Sequence, residues 1–444
     1  MAMTFVSGDP FNPPNAMLIN DPSKATAPSP AYWSAFESED WNAALTGANR
    51  AVAIAPDDQQ ALFVLGYCLL RAGRISAVEE IFNHAAAVGS PTMAASVLSQ
   101  ILWYVLESEC HGPLLAAAEI VPPDHPAAIL VSYYAGCADM MTGAVDRALA
   151  RFDWFADHVH LFAAHIDFFT DPRLNLVFRQ ARLVRGPAEV ERRARIAVGP
   201  LQFRWHREIQ PVGTAPILLS CMDTVYFLAF AETFAELNLA ANPTSSVVFH
   251  LIGPTPEALS LLEHLATRWP GRVGGTVEDA PVIPKVTYYA CARFYVVPHL
   301  LRRYHRPVVS LDAEVCAELH ANRLATLCAA TDFACFGTGR KEPASVWQAT
   351  VMWWDDTPAC HRFLDLLQHY CWPELSLPAH TNWMLDQAAL LSCLHYAERT
   401  GALTFADLAV VTKKPLNEVA RRFNPDEFNQ NLRNATIQKE AALP

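Results

Sequence analysis

The stretch APILLSCMDTVYFLAFAETFAELNLAANPTSSVVFHLIG, residues 215–253, decides the fold. It opens with a short apolar run, Ile217 to Cys221, bounded by Pro216 and Asp223. Phe227, Phe230, Ala231, Phe234 and Leu237 then fall on one face of a helix, and a second apolar run closes the unit from Ser246 to Ile252. Strand, helix and strand, with both strands apolar throughout, imply a parallel sheet covered on both faces.

The alternation continues downstream. A helix through Leu259, Leu262, Leu265 and Trp269 leads to a weaker third strand, RVGGTVED (272–279). A helical stretch from Tyr288 to Tyr304 precedes a fourth, PVVSL (307–311). Ligands of such sheets sit beyond the carboxyl ends of the strands. Asp312 and Glu314 stand there, and residues i and i+2 of an extended segment point the same way. Two carboxylates aimed together suit a divalent ion that also holds a diphosphate. The alternative is a pair of ordinary solvated acids at a strand end.

Upstream the rhythm is different. Residues 31–170 are rich in alanine, leucine and aromatics at helical spacing. A 34-residue unit taken from 59 to 92 places Leu62, Leu65, Gly66, Leu69, Val78, Phe82 and Ala85 where the paired helices of a tetratricopeptide repeat interlock. Gly66 and Gly73 recur as Gly136 and Gly143. A degenerate tetratricopeptide array and an irregular helical bundle both fit. Residues 173–207 carry nine arginines, read as a solvated helix face or as a dock for an acidic partner.

Composition narrows the function. Of 444 residues, 52% are hydrophobic and 18% charged, and the formal net charge is -12. A surface this acidic repels a polyphosphate backbone, so nucleic acid is not an expected partner. Eleven cysteines without paired spacing do not read as a disulfide or zinc framework. The nearest cluster, Cys360, His361, His369 and Cys371, matches no common zinc module. Prolines 10, 13 and 14 break any secretory segment, and no run is long and apolar enough to span a membrane. A reduced, cytoplasmic setting is the expectation.

The ordered set of Asp223 with Tyr226, YYACARF (288–294), LDAEV (311–315), VWQATVMWW (346–354) and WMLDQAAL (383–390) resembles a known family. It is similar to the retaining nucleotide-sugar glycosyltransferases of the glycogenin and lipopolysaccharide galactosyltransferase kind, which have the GT-A fold. The likeness covers roughly residues 214–415. It implies that Asp223 and Tyr226 hold the nucleoside, although Asp223 serves equally well as a helix cap. It implies that Arg293 contacts donor sugar and phosphates, or else pairs with a nearby acid.

In that family an Asp-x-Asp pair binds manganese, and Asp312-Ala313-Glu314 looks like a variant of it. The resemblance thus implies Mn2+ or Mg2+ on Asp312 and Glu314. The family's Asn-Ala-Gly segment falls on Gln348, Ala349 and Thr350, and its Asp-Gln pair, beneath the anomeric centre, on Asp386 and Gln387. Its third metal ligand, a histidine, has no counterpart; VVTKKP (410–415) offers Lys413 and Lys414 instead. Arg340 and Lys341 in FGTGRKEP (336–343) are read as a surface turn or a loop over a diphosphate, and Trp347, Trp353 and Trp354 as core or a sugar-stacking face.

The expected organisation is a flexible Pro-rich leader (1–30), tetratricopeptide-like helices (31–170), an Arg-rich helical connector (171–212), a GT-A-like α/β domain with a mostly parallel sheet (213–420) and a tail (421–444). The expected function is transfer of a sugar from a nucleotide diphosphate sugar to a hydroxyl of a protein or glycan acceptor, with a protein partner on the repeats. The competing reading is a non-catalytic scaffold with a degenerate transferase domain.

Overall fold

Eighteen helices and ten strands order the described part of the chain, and the first eight helices form a layer of their own: α1 (Ala31–Glu37), α2 (Trp41–Ile54), α3 (Gln59–Arg71), α4 (Ala77–Val88), α5 (Pro91–Glu107), α6 (His111–Ile120), α7 (Ala128–Met141) and α8 (Val145–Phe162). The computed structural model describes residues 30–169, 171–199, 202–279, 286–313, 315–317, 320–338, 343–375 and 384–422. Almost all of the expected leader and tail, together with Glu314, Arg340 and Lys341, lie outside the described residues.

The eight helices make four hairpins, and the first helix of each also packs on the first helix of the next: α1 on α3, α3 on α5, α5 on α7. All four first helices end in one turn. Glu39, Gly73, Glu109 and Gly143 take left-handed φ values of 60°, 80°, 57° and 76°. The following N–H then reaches five residues back, from Asp40 to Ala35, Arg74 to Leu69, Cys110 to Val105 and Ala144 to Asp139, at 2.8–3.2 Å. These turns recur at intervals of 34, 36 and 34 residues. Small residues set the close crossings: a Cβ on Gly66 would meet Ile101 Cδ1 at 2.5 Å, and one on Gly136 would meet Phe152 Cε1 at 2.6 Å.

The arginine-rich segment is helical only in its first part, as α9 (Pro172–Leu183) and α10 (Pro187–Arg193). Its end, β1 (Phe203–Arg207), is a strand, which corrects the expectation of a wholly helical connector. Its arginines divide: Arg192, Arg195, Arg204 and Arg207 are exposed, while Arg182, Arg185 and Arg193 pack against the protein. Arg193 is 4% exposed, donates to Glu189, to Glu374 at 2.9 Å and to the Tyr370 carbonyl, and lies over the Tyr370 ring at 4.6 Å. Arg182 also pairs with Glu374, and Arg185 with Asp153 and Asp157. Such buried pairs hold two layers in register, because removing one partner strands the other charge away from water.

The α/β part follows as β2 (Ile217–Asp223), α11 (Thr224–Ala241), β3 (Ser246–Ile252), α12 (Pro256–Arg268), β4 (Val273–Glu278), α13 (Val286–Tyr304), β5 (Val308–Leu311), β6 (Val315–Ala317), α14 (Ala321–Leu327), β7 (Phe333–Gly337), β8 (Trp347–Trp354), α15 (Pro358–Leu375), α16 (Leu385–Thr400), β9 (Phe405–Asp407), α17 (Leu408–Thr412), α18 (Leu416–Val419) and β10 (Ala420–Arg422). The four strands read from sequence appear as β2 to β5. Eight strands make one sheet in the order β1-β4-β3-β2-β5-β8-β7-β9, and β6 pairs with β10 apart from it. The block β4-β3-β2-β5 is parallel, while β1 and β8 run antiparallel to their neighbours.

Alternation along each strand divides the core. Leu218, Val247, Phe249, Val309 and Trp353 face α11 and α12. Ile217, Leu219, Val248, Val308 and Trp354 face the opposite side, where one hydrophobic cluster runs on through α13, α15 and α16 into the helical array. Trp353 and Trp354 are fully buried, so they are core and offer no stacking face.

The shared turn generates a prediction. Left-handed backbone costs a residue with a Cβ about 1 kcal/mol that glycine avoids. Glu109→Gly should therefore raise the unfolding free energy by about 1 kcal/mol, and Gly143→Ala should lower it by a similar amount. Urea midpoints measure both; a destabilised Glu109→Gly protein would show that the turn at 109 differs from that at 143.

Candidate active site

Strand order explains why the expected residues meet. The chain leaves β2 toward β3 on one side and returns to β5 on the other, so the crevice between the ends of β2 and β5 is the point where the winding reverses. Asp223 is the last residue of β2, and Asp312 follows the last residue of β5. Asp312 shares its face of the sheet with Ser310, which faces α13 and bonds Trp354 Nε1 at 2.9 Å.

Helix α13 carries Arg293 across this edge. Its Nη2 donates to Asp312 Oδ1 at 2.6 Å, its Nη1 to the Ala349 carbonyl at 2.5 Å and its Nε to the Ala290 carbonyl at 2.7 Å. The side chain is 8% exposed and that of Asp312 26%. A register shift between β7 and β8 leaves Ala349, Thr350 and Val351 unmatched by β7. That irregularity lies where the Ala349 carbonyl meets Arg293, and Thr350 O accepts from the Asp312 amide at 3.0 Å. The Gln348–Thr350 segment thus lies beside Arg293 and Asp312. Among the described residues, the buried Oε1 of Gln348 accepts no hydrogen bond.

Asp386 opens α16, which packs on both α13 and β8. The residue before the helix begins, Met384, holds a left-handed φ of 67° while 5% exposed, a strained backbone that only its surroundings can hold. Burial raises the Asp386 carboxyl above its ordinary range; Arg293 opposes this, Asp312 adds to it, and the backbone N–H groups of Gln387 and Asp386 oppose it. Burial acts against the Arg293 charge, but Asp312 and Asp386 more than offset it and hold the guanidinium ionised. One buried cation therefore sits between two carboxylates of different character.

Asp223 does the local work of a helix cap, accepting from the Tyr226 amide at 2.8 Å. Tyr226 packs its ring against Phe230 at 5.9 Å. Gln387 contributes its amide to the Asp386 carboxylate.

Two residues at this edge escaped the sequence reading. Glu278 ends β4, is 4% exposed and accepts from the Tyr288 hydroxyl at 3.0 Å. Cys221 of β2 lies in the same field: burial pushes its thiol up to about 12, with Arg293 opposing and Glu278 and Asp312 adding. The signal for Glu278 was the one that marked Asp223 and Asp312, an acid at the carboxyl end of a strand.

For the expected Mn2+ or Mg2+, the described residues supply Asp312, whose Oδ1 Arg293 already holds. Glu314 lies outside the described residues. Among the described residues no three His, Cys, Asp or Glu side chains gather to hold a metal ion. Among the described residues this donor set falls short of the six or so oxygens such an ion takes. The Cys360 and Cys371 thiols are buried, His361 pairs with Asp356 at 2.8 Å and His369 bonds the Asp365 carbonyl, so that cluster is structural. No helix among the described residues is long and apolar enough to cross a membrane.

No family model matches the chain, and no curated protein matches it. Solved structures do. The apo structure of WbbM, a bifunctional glycosyltransferase, aligns at a TM-score of 0.33 and 13% identity over 52% of this chain and 52% of that one. Apo mouse xyloside xylosyltransferase 1 aligns at 0.28 and 11%, over 44% of this chain and 84% of that one. The glycosyltransferase GlyE of Streptococcus pneumoniae TIGR4 aligns at 0.33 and 12%, over 52% and 65%. Likeness this low leaves the function to the residues themselves.

Asp386 yields a pH prediction. A carboxyl that binds its proton more tightly folded than unfolded stabilises the protein at low pH. That contribution is lost as pH rises from about 4, the unfolded value, through the raised folded value. Asp386→Asn should remove this decline, so its urea midpoint falls less than wild type between pH 4 and pH 7. Parallel profiles for the two proteins would contradict the raised carboxyl.

Proposed function

We propose that the chain is a glycosyltransferase that binds a nucleotide diphosphate sugar at the carboxyl ends of β2 and β5 and transfers the sugar to a hydroxyl acceptor. The observation that carries this is the buried Arg293 between Asp312 and Asp386 at the winding reversal of the sheet. In the reaction the bond from the anomeric carbon to the diphosphate oxygen breaks, a bond to the acceptor oxygen forms, and the acceptor proton passes to the released diphosphate. Negative charge grows on the diphosphate, and the Arg293 field, little screened at this burial, stabilises it. Asp386 and Gln387 face the positive anomeric carbon, Gln348 Oε1 accepts a sugar hydroxyl, and Asp223 with Tyr226 borders the nucleoside.

We further infer that the four hairpins are a degenerate tetratricopeptide array, supported by turns recurring every 34 to 36 residues. Arrays of this kind present a concave face to a protein partner, here the acceptor or its carrier. Because α9 and α10 pack on α15 and α16, acceptor docking is to be tested by substitution on that face and not by deleting the helices.

A second reading has its own support. The guanidinium nitrogens of Arg293 are all engaged by protein acceptors, and Asp223 is engaged as a cap. A scaffold that kept its architecture without chemistry would look the same at these two residues. Calorimetry with a panel of nucleoside diphosphate sugars separates the readings. Wild type should bind at least one, Asp312→Asn should weaken it at least tenfold, and Asp386→Asn should bind while releasing nucleotide on the order of 10²-fold more slowly. No heat with any member for the wild-type protein would sink the enzyme reading.

A further inference from the structure

A cavity lies away from the Asp312 edge, between the outer strand β1 and the C-terminal half of α13. It has a volume of about 360 Å³, within the range of small-molecule sites, and its described lining is Phe203, Arg204, Trp205, His299, Arg302 and Arg303. Arg302 stands nine residues beyond Arg293 on one helix, roughly 14 Å along its axis.

The charges here are not balanced. Arg303 pairs with Glu208 at 2.6 Å, and Arg204 reaches Asp279 only at 4.0 Å. Among the described residues, Arg302 has no carboxylate within ion-pair distance, although it is exposed on a chain of net charge -12. Arg302 and Arg303 therefore line the cavity against one exposed carboxylate, while alternation along β1 turns the Arg204 side chain to the face opposite Phe203 and Trp205. The walls between them are aromatic. Phe203 meets the His299 ring edge-on at 4.7 Å, and Trp205 packs edge-on against Tyr304 at 5.8 Å with the Arg303 guanidinium 5.4 Å from its centre.

Planar guanidinium groups hold phosphate through paired N–H donors. Aromatic rings beside them offer an apolar face to the C–H side of a pyranose. Burial, with Arg302 and then His250 adding, lowers the His299 imidazole, and its neutral ring both donates and accepts, as sugar hydroxyls require. A binding site that needed only charge would have no use for the two rings. One that needed only a sugar would not set two arginines on its α13 wall.

From these groups we infer that the β1–α13 cavity is a binding site for a phosphorylated monosaccharide, the phosphate on Arg302 with Arg303 and the ring against Trp205 and Phe203. The inference does not rest on the reading of the Asp312 edge.

Calorimetry of the full chain with glucose 6-phosphate, beside glucose and inorganic phosphate, tests it. Saturable heat is expected with glucose 6-phosphate, at least tenfold tighter than with either fragment. Arg302→Ala, a change at an exposed side chain, should weaken it at least tenfold, and Trp205→Leu should do the same. Asp312→Asn should leave it unchanged, so failure here and failure of the donor site are told apart. Three results would overturn the assignment: no binding at millimolar ligand, inorganic phosphate binding as tightly as the sugar phosphate, or an Arg302→Ala protein that binds like wild type.

Discussion

A charged guanidinium buried at the carboxyl edge of a parallel sheet is the constraint around which the α/β half is arranged. Arg293 cannot stay ionised at this depth without partners, and each partner comes from a different element: Asp312 beyond β5, the Ala349 carbonyl from the irregular β8, and the field of Asp386 from the start of α16. Three crossings of the chain are thereby fixed at one point. The register break in β8 and the left-handed Met384 before α16 are local departures from regular structure beside that point.

The helical array is joined to this centre through a second buried cation. Arg193 ties α10 to α15 through Glu374 and Tyr370, and the Tyr370 hydroxyl returns the contact by bonding the Leu183 carbonyl. Since α15 packs on both α13 and α16, the helices that present Arg293 and Asp386 lean on the layer that the array buttresses. The continuous hydrophobic cluster from Tyr32 to Ala397 is the apolar counterpart of that connection.

Much of this was legible in the sequence, for definite reasons. Apolar runs bounded by Pro216, Asp223, Gly253 and Pro307 marked β2, β3 and β5 because buried parallel strands leave no polar alternation to confuse. Asp312 and Asp386 stood out because the one follows a strand and the other lies in the first turn of a helix, while Arg293 reaches the same edge from within α13. Gly73 and Gly143 disclosed two of the four repeat turns. The other two were hidden because Glu39 and Glu109 occupy left-handed positions that a search for glycine passes over. The strand β1 was hidden by its arginines, which read as a helical charge run. The tryptophans of β8 read as core or as a stacking face, and burial makes Trp353 and Trp354 core. A residue's type leaves open the layer it will occupy.

The most direct measurement is a crystal structure of the full chain with a nucleoside diphosphate bound. The account places the diphosphate beyond the ends of β2 and β5, within contact of Asp312 and Gln348 and in the field of Arg293. A nucleotide bound elsewhere, with that edge closed by the protein's own side chains, would contradict it.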